Sequence, residues 1–225
     1  DILQNEQSLS MNICELPFCD ARAVFKSLNM DLRQFKRIKM FAHGEETMEP
    51  LDSSDLKIFI RMGSDYTRNY YEYELPLVIS DPTSGAITGG NPDSREYKDE
   101  VWKNEFDFPL ELLTEIKKQR NADPNPDPLK PYIGFDPENP DARIRIFGNP
   151  NLGYVKGIMI GVRNSDPEHL EHCVEVWLNE LRLSGLNEKG GFAGLARVDM
   201  KLADLGGVAV AANYTGIGWG SIEEK

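Results

Sequence analysis

Three groups of side chains have the types and spacing to do chemistry. Asp123, Asn125 and Asp127 present oxygen donors at alternate positions, as a calcium loop begins. Such a loop next needs glycine, where Pro128 stands, and closes on glutamate, where Gly134 stands. With Pro124 and Pro126 interleaved, the stretch reads as a proline-acid linker. The second group is His169, Glu171, His172 and Cys173, with His43 elsewhere. Imidazole and thiolate are zinc ligands. This run, however, leads from Asp166-Pro167 into a strand, where His172 and Cys173 point to opposite faces. The third group is Tyr66, Tyr70, Tyr71 and Tyr73 beside Arg61, Arg68 and Asn69. Stacked aromatics next to hydrogen-bonding groups resemble a sugar-binding platform. Arg61, Tyr66, Arg68, Asn69, Tyr70 and Tyr71 are therefore the candidate ligand or partner surface. Against this, aromatics are strong strand formers and alternate ones pack cores; that is the favoured reading of the tyrosines.

Other chemistry finds no motif. There is no Walker A loop, no G-x-S-x-G elbow and no H-E-x-x-H, and Gly190, Gly191 and Gly194 do not make G-x-G-x-x-G. Asp and Glu total 37, so any chosen carboxylate pair is uninformative. No catalytic, cofactor-binding or metal-binding residue is assigned, and the chain is expected not to be an enzyme.

The elements that would carry these residues have period two. Leu56, Ile58, Ile60 and Met62 alternate with Lys57, Phe59 and Arg61, a half-buried strand. Gly63-Ser64-Asp65 breaks it, and Tyr70–Leu75 alternates again, which predicts an antiparallel hairpin. Arg37–His43 reads as a strand ended by Gly44; Ala21–Asn29 is ambiguous, with Ala23, Val24 and Leu28 fitting a short helix. Pro109 opens the one convincing helix, carrying Leu112, Leu113 and Ile116, with Lys117, Lys118 and Arg120 late. Asp81–Asp93 and Asn121–Pro128 are loops rich in proline and glycine. Arg143–Phe147 alternates, and Val155–Val162 is a candidate central strand. In Cys173–Leu183 the apolar phase switches near Asn179-Glu180, which requires a bulge or bend. Arg197–Leu202 and Val208–Tyr214 alternate around a Gly206-Gly207 turn, fitting an ordinary hairpin or membrane-barrel strands. The sum is a mainly β protein: a jelly-roll-like β-sandwich with one peripheral helix, followed by a C-terminal β-hairpin.

Composition bounds the rest. The 225 residues suffice for a large core. The net charge of -12 disfavours nucleic acid and gives no basic face to anionic lipid. No apolar stretch reaches the roughly 18 residues of a spanning helix. The opening Asp1-Ile2-Leu3 has no Met and no basic leader, and reads as a piece of a longer protein or a mature form. Of the three cysteines at least one is free or paired elsewhere. They read first as semi-buried small hydrophobes. A Cys14–Cys19 bridge is the alternative, and it suits an oxidising envelope.

Several segments resemble the SprA/Sov family of gliding-motility and secretion proteins. They are Asp31–Phe41, Phe59–Glu74, Asn104–Leu112, Gly148–Gly153, Ile158–Asn164, Glu175–Leu183 and Arg197–Gly206. They span most of the chain in the expected order; Ile79–Val101 and Ala122–Ala142 carry none of the likeness and look like variable loops. The resemblance implies the outer-membrane translocon of the type 9 secretion system, a very large β-barrel with soluble insertions that exports folded cargo. Residues 1–190 would then be a soluble sandwich with long loops at 79–101 and 121–142. Residues 191–225 would be a strand pair leading to the barrel or lying at the sandwich edge. Implied partners are other parts of the translocon, accessory secretion subunits and exported cargo, with membrane contact only through the parent barrel. The chain would sit at the outer membrane or cell surface, or face the periplasm. The resemblance carries over no catalytic residue and no cofactor. The alternative is a carbohydrate-binding jelly-roll module of a cell-surface protein.

Overall fold

A computed structural model describes residues 8–216 and 219, except 48–50, 53, 54, 82, 92, 126, 128, 169 and 187–191. Most of it is built by period-two alternation. In chain order the strands and helices begin with β1 (Leu9–Leu16), β2 (Ala21–Met30), β3 (Arg37–Glu46), β4 (Leu56–Gly63) and β5 (Tyr70–Pro76). The helices α1 (Gly85–Thr88) and α2 (Arg95–Val101), strand β6 (Asn104–Pro109) and helix α3 (Leu110–Ala122) follow. Then come β7 (Tyr132–Phe135), β8 (Arg143–Phe147), β9 (Val155–Asn164), β10 (His172–Ser184), β11 (Ala193–Lys201) and β12 (Gly207–Thr215).

The strands form a four-stranded sheet, β1-β10-β3-β6, and a six-stranded sheet, β2-β9-β4-β5-β8-β7; β11 and β12 pair apart from both. All pairings are antiparallel. The opening ribbon β1-β2 lies against the ribbon β10-β9, so paired strands roll across both sheets in jelly-roll-like fashion. Between the sheets, Ile38, Met40 and Ala42 of β3 and Phe106 and Phe108 of β6 meet Leu56, Ile58, Ile60 and Met62 of β4 and Tyr71 and Tyr73 of β5. Tyr73 stacks on Phe108 with ring centroids 4.0 Å apart. Each such buried side chain contributes about 1.5–3 kcal/mol, so sheet-on-sheet packing dominates over the helices.

Helix α3 starts without a side-chain cap, because Pro109 precedes it. Its Leu110 N–H instead donates to Lys36 O (2.8 Å). It buries Leu110, Leu112, Leu113 and Ile116, as its apolar stripe predicts. Ile116 packs where a side chain on Gly134 of β7 would be, so that glycine lets helix and strand approach.

The expected hairpin β4–β5, the central strand β9 and the bend in β10 are all present. The β10–β3 register shifts between Asn179 and Arg182, and Glu180 takes φ 53 there. Several expectations need correction. Ala21–Asn29 is strand β2, not a helix: Val24 and Leu28 pack on the core, while Arg22 and Lys26 hide the alternation. Strand β3 does not stop at Gly44; the missing side chain there makes room for Leu77 and Ile79. Stretch 79–101 contains α1 and α2, capped by Ser84 and Ser94, so α3 is not the only helix. Stretch 121–142 contains β7, and the edge strands β1 and β6 were not foreseen. The bridge joins Cys14 to Cys173, not to Cys19. Pairing of β1 with β10 sets those two cysteines side by side, whereas Cys19 is free and exposed in the turn that leaves β1.

Candidate functional site

The outward residues of β4 and β5 carry most of the candidate surface. Register places Arg61 of β4 opposite Glu72 of β5, and Glu72 opposite Arg145 of β8. Arg163 joins them from β9. Arg61 Nε donates to Glu72 Oε2 (2.7 Å), and Arg145 Nη1 donates to Glu72 Oε1 (2.7 Å) and to Glu74. Arg163 donates through Nη2 to Glu72 Oε1 (3.0 Å) and through Nη1 to Glu74. The side chains of Glu72 and Glu74 are 0% and 2% exposed, although they point away from the core. The three arginines are their cover. Burial alone would raise the Glu72 carboxyl, but Arg163, Arg61 and Arg145 outweigh it and hold that group below its usual range. The guanidinium of Arg61 also lies over the Tyr70 ring at 4.0 Å, and that of Arg163 over Phe59 at 4.8 Å.

The structure divides the six expected residues. Arg61, Tyr66 and Tyr70 come together: Arg61 Nη1 donates to Tyr66 O at 2.6 Å and its guanidinium covers Tyr70. The Tyr66 ring tilts against Phe25 with centroids 5.5 Å apart and occupies the space above Gly157. Arg68 and Asn69 belong to the β4–β5 loop, which is organised by Asp65. That carboxylate accepts from the N–H groups of Thr67, Arg68 and Asn69 and from Asn69 Nδ2. Burial works against the ionised Asp65, yet these bonds prevail and depress its pKa strongly. Asn69 Oδ1 in turn accepts from Asn149 N at 2.9 Å, and Arg68 is exposed. Tyr71 is on the opposite face, in the core, where its hydroxyl donates to Pro150 O (3.0 Å) and burial pushes it up to about 12. It therefore cannot share a platform with Tyr70, and the core-packing reading holds for Tyr71 and Tyr73.

Sequence reasoning did not include Glu72, Glu74, Arg145, Arg163 and Phe59 in the surface. Their signal was present as alternate charges, Glu72/Glu74 and Arg143/Arg145, on strands that proved to be neighbours.

The two metal-like motifs have structural partners. Asp123 accepts from Asn125 N and Asp127 from Leu129 N, turn-forming contacts at 2.9 Å each. Cys173 is in the disulfide, and buried His172 meets Asp166 Oδ2 at 2.9 Å; His169 lies outside the described residues. His43 is buried with Nδ1 2.6 Å from Val101 O, Nε2 2.8 Å from Glu45 Oε1 and its ring 4.6 Å from that of Trp177. Among the described residues no group of three or more His, Cys, Asp or Glu side chains is arranged to hold a metal.

A second surface belongs to the hairpin β11–β12. Its register aligns Ala196 with Ala212, Val198 with Val210 and Met200 with Val208 on one face. Arg197, Asp199 and Lys201, with Asn213 and Thr215, lie on the other, together with Leu195. Both faces are open to solvent. Phe192 stacks on Tyr214 at its open end, 5.2 Å between centroids. No helix among the described residues is long and apolar enough to cross a membrane, a criterion that does not bear on strands.

Comparison with protein families matches the chain over its whole length: the SprA_N family model, described as motility related/secretion protein, covers residues 1–225. No curated protein matches the chain.

Proposed function

The chain belongs to the SprA_N family of motility-related and secretion proteins, and from that membership we propose that it is a non-catalytic structural segment of an outer-membrane protein-export channel. The sandwich is the soluble part, facing the periplasm or the cell surface. The hairpin β11–β12 is the part that continues into the channel wall. Its partners are the remainder of the channel, accessory subunits and cargo of the type 9 secretion and gliding-motility machinery.

The hairpin supports this reading best. Each strand has 9 residues, the length that crosses a bilayer when tilted. One face is apolar from Ala196 to Met200 and from Val208 to Tyr214, and the other is polar or small apart from Leu195. Outer-membrane strands alternate in this way and carry aromatics near their ends, and here Phe192 and Tyr214 stack at the open end of the hairpin. A two-stranded ribbon with an uncovered apolar face is marginal in water, so it needs either lipid or further strands.

The test is cysteine labelling of the parent protein in isolated cell envelopes. In a Cys19→Ser background, Val198→Cys and Val210→Cys should be shielded from a water-soluble maleimide, and Asp199→Cys should react. Equal reaction at all three sinks the channel-wall reading. The export role is tested by deleting the segment: normal cargo secretion from such a strain would exclude it.

The carbohydrate-binding alternative has less support, because the two tyrosines it would stack on are divided between the faces of the sheet. Tyr70 is covered by Arg61, and Tyr71 is in the core.

A further inference from the structure

The outward positions of the six-stranded sheet form rows, two of which cross every strand. One row runs Phe25, Met159, Arg61, Glu72, Arg145 and Ile133, from β2 to β7. The adjacent row ends in Arg143 and Phe135. Phe25 at one border is 64% exposed and Phe135 at the other 61%. Between the borders the face is cationic. Lys57, Arg61, Arg143, Arg145 and Arg163 face two carboxylates, Glu72 and Glu74, on a chain whose net charge is -12.

That excess is concentrated on β8. Glu72 and Glu74 are consumed by Arg61, Arg145 and Arg163. Asp55 and Asp141 act on Lys57 at one rim. Arg143 makes no ion pair among the described residues, and Arg145 uses only Nη1, leaving Nε and Nη2 without a bond to them. Arg143 is exposed on the same strand, and Glu72 and Glu74 hold the Arg145 guanidinium in place through Nη1. Arginine fixed in this way meets a carboxylate through paired N–H groups at low entropic cost.

The geometry points to a docking surface for an acidic polypeptide segment, its carboxylates over Arg143 and Arg145 and its apolar side chains against Phe135, Ile133 and Phe25. A second copy of this face is not the occupant, since a two-fold contact would set a surface with excess positive charge against its own like charge. Size agrees. Six strands about 4.8 Å apart and four rows about 6.7 Å apart give roughly 500 Å². With a partner of equal contribution this reaches about 1,000 Å², the range of transient contacts and well short of an obligate dimer. A lipid surface fits less well, because Glu72 and Glu74 pair with three of the cations and the chain as a whole carries a net charge of -12. The inference goes beyond the export-channel reading and does not depend on whether the hairpin lies in a membrane.

The test uses the whole chain and a fluorescent peptide of alternating glutamate and valine, read by anisotropy at low salt. Saturable binding is expected, weakening with added salt and absent for the lysine-valine peptide. Arg143→Glu combined with Phe135→Ser should weaken it about tenfold or more. Both side chains are exposed, so the thermal midpoint should stay unchanged, and Lys118→Glu on α3 should bind as wild type does. Failure of the acidic peptide to bind, or equal binding by Arg143→Glu/Phe135→Ser, overturns the proposal. So does preferential binding of phosphatidylglycerol vesicles that the same double substitution removes, which would make the face a lipid site.

Discussion

The guanidinium of Arg61 lies 4.0 Å from the centre of the Tyr70 ring and is held there by Glu72 and by the carbonyl of Tyr66. An aromatic ring used this way is part of an electrostatic layer and has no free face for a ligand to stack on. The same layer explains how two glutamates can be almost fully shielded on the outside of a sheet.

Sugar binding should therefore be absent. Titration with a panel of oligosaccharides is expected to give no saturable signal. Saturable binding that Tyr70→Ala abolishes would restore the carbohydrate-module reading.

Glu72 should be costly to neutralise. Glu72→Gln leaves Arg61, Arg145 and Arg163 with too few anionic partners in a shielded position, and breaking such buried pairs costs about 3–5 kcal/mol. Urea unfolding at neutral pH should show that loss; a change within error would mean that the arginines are solvated after all.

The advantage of wild type over Glu72→Gln should also depend on pH. The folded-state pKa of Glu72 lies below its ordinary 4.5. Stability from such a group is complete above the unfolded value and is lost as pH falls through the folded one. The gap between the two proteins should narrow on acidification below that ordinary value. A gap that widens there would contradict the depressed pKa.

Glu180 occupies a left-handed backbone position at the β10 bulge, with φ 53. Glu180→Gly should stabilise by about 0.5–1 kcal/mol, and a β-branched Glu180→Val should destabilise by more. Thermal denaturation of both variants checks the sign.

Gly148 combines φ 65 with a backbone neighbour, since an added Cβ would collide with the carbonyl of Arg68. Gly148→Ala should cost about 2 kcal/mol or more, and should loosen the β4–β5 loop that Asn69 ties to Asn149. Hydrogen exchange at Asn149 N–H is the local readout.

How much of this was legible depends on range. The alternation at Leu56–Met62 and the phase switch at Asn179 are local and were readable, as was α3 from Pro109 and its leucines. The SprA/Sov likeness pointed to the family that the whole-chain match then identified. The ion layer was not readable: Arg61 and Glu72 are near in sequence, but Arg145 and Arg163 reach them only through the order β9-β4-β5-β8. The correct bridge was hidden for the same reason, since it needed β1 placed beside β10. Strand β2 failed because an edge strand open to solvent tolerates Arg22 and Lys26 within its pattern.

The bridge between Cys14 and Cys173 spans a sequence separation of 159. A molecule anchored through β11 and pulled from its N-terminal end would carry tension along β10 to one sulfur and out through the other into β1. Everything enclosed by the two cysteines, including the six-stranded sheet and its arginine layer, would hang off the load path as slack. Under oxidising conditions the sandwich can therefore lengthen under force only by the short segments outside the clasp, and a reductant would turn the same domain into a long extensible tether.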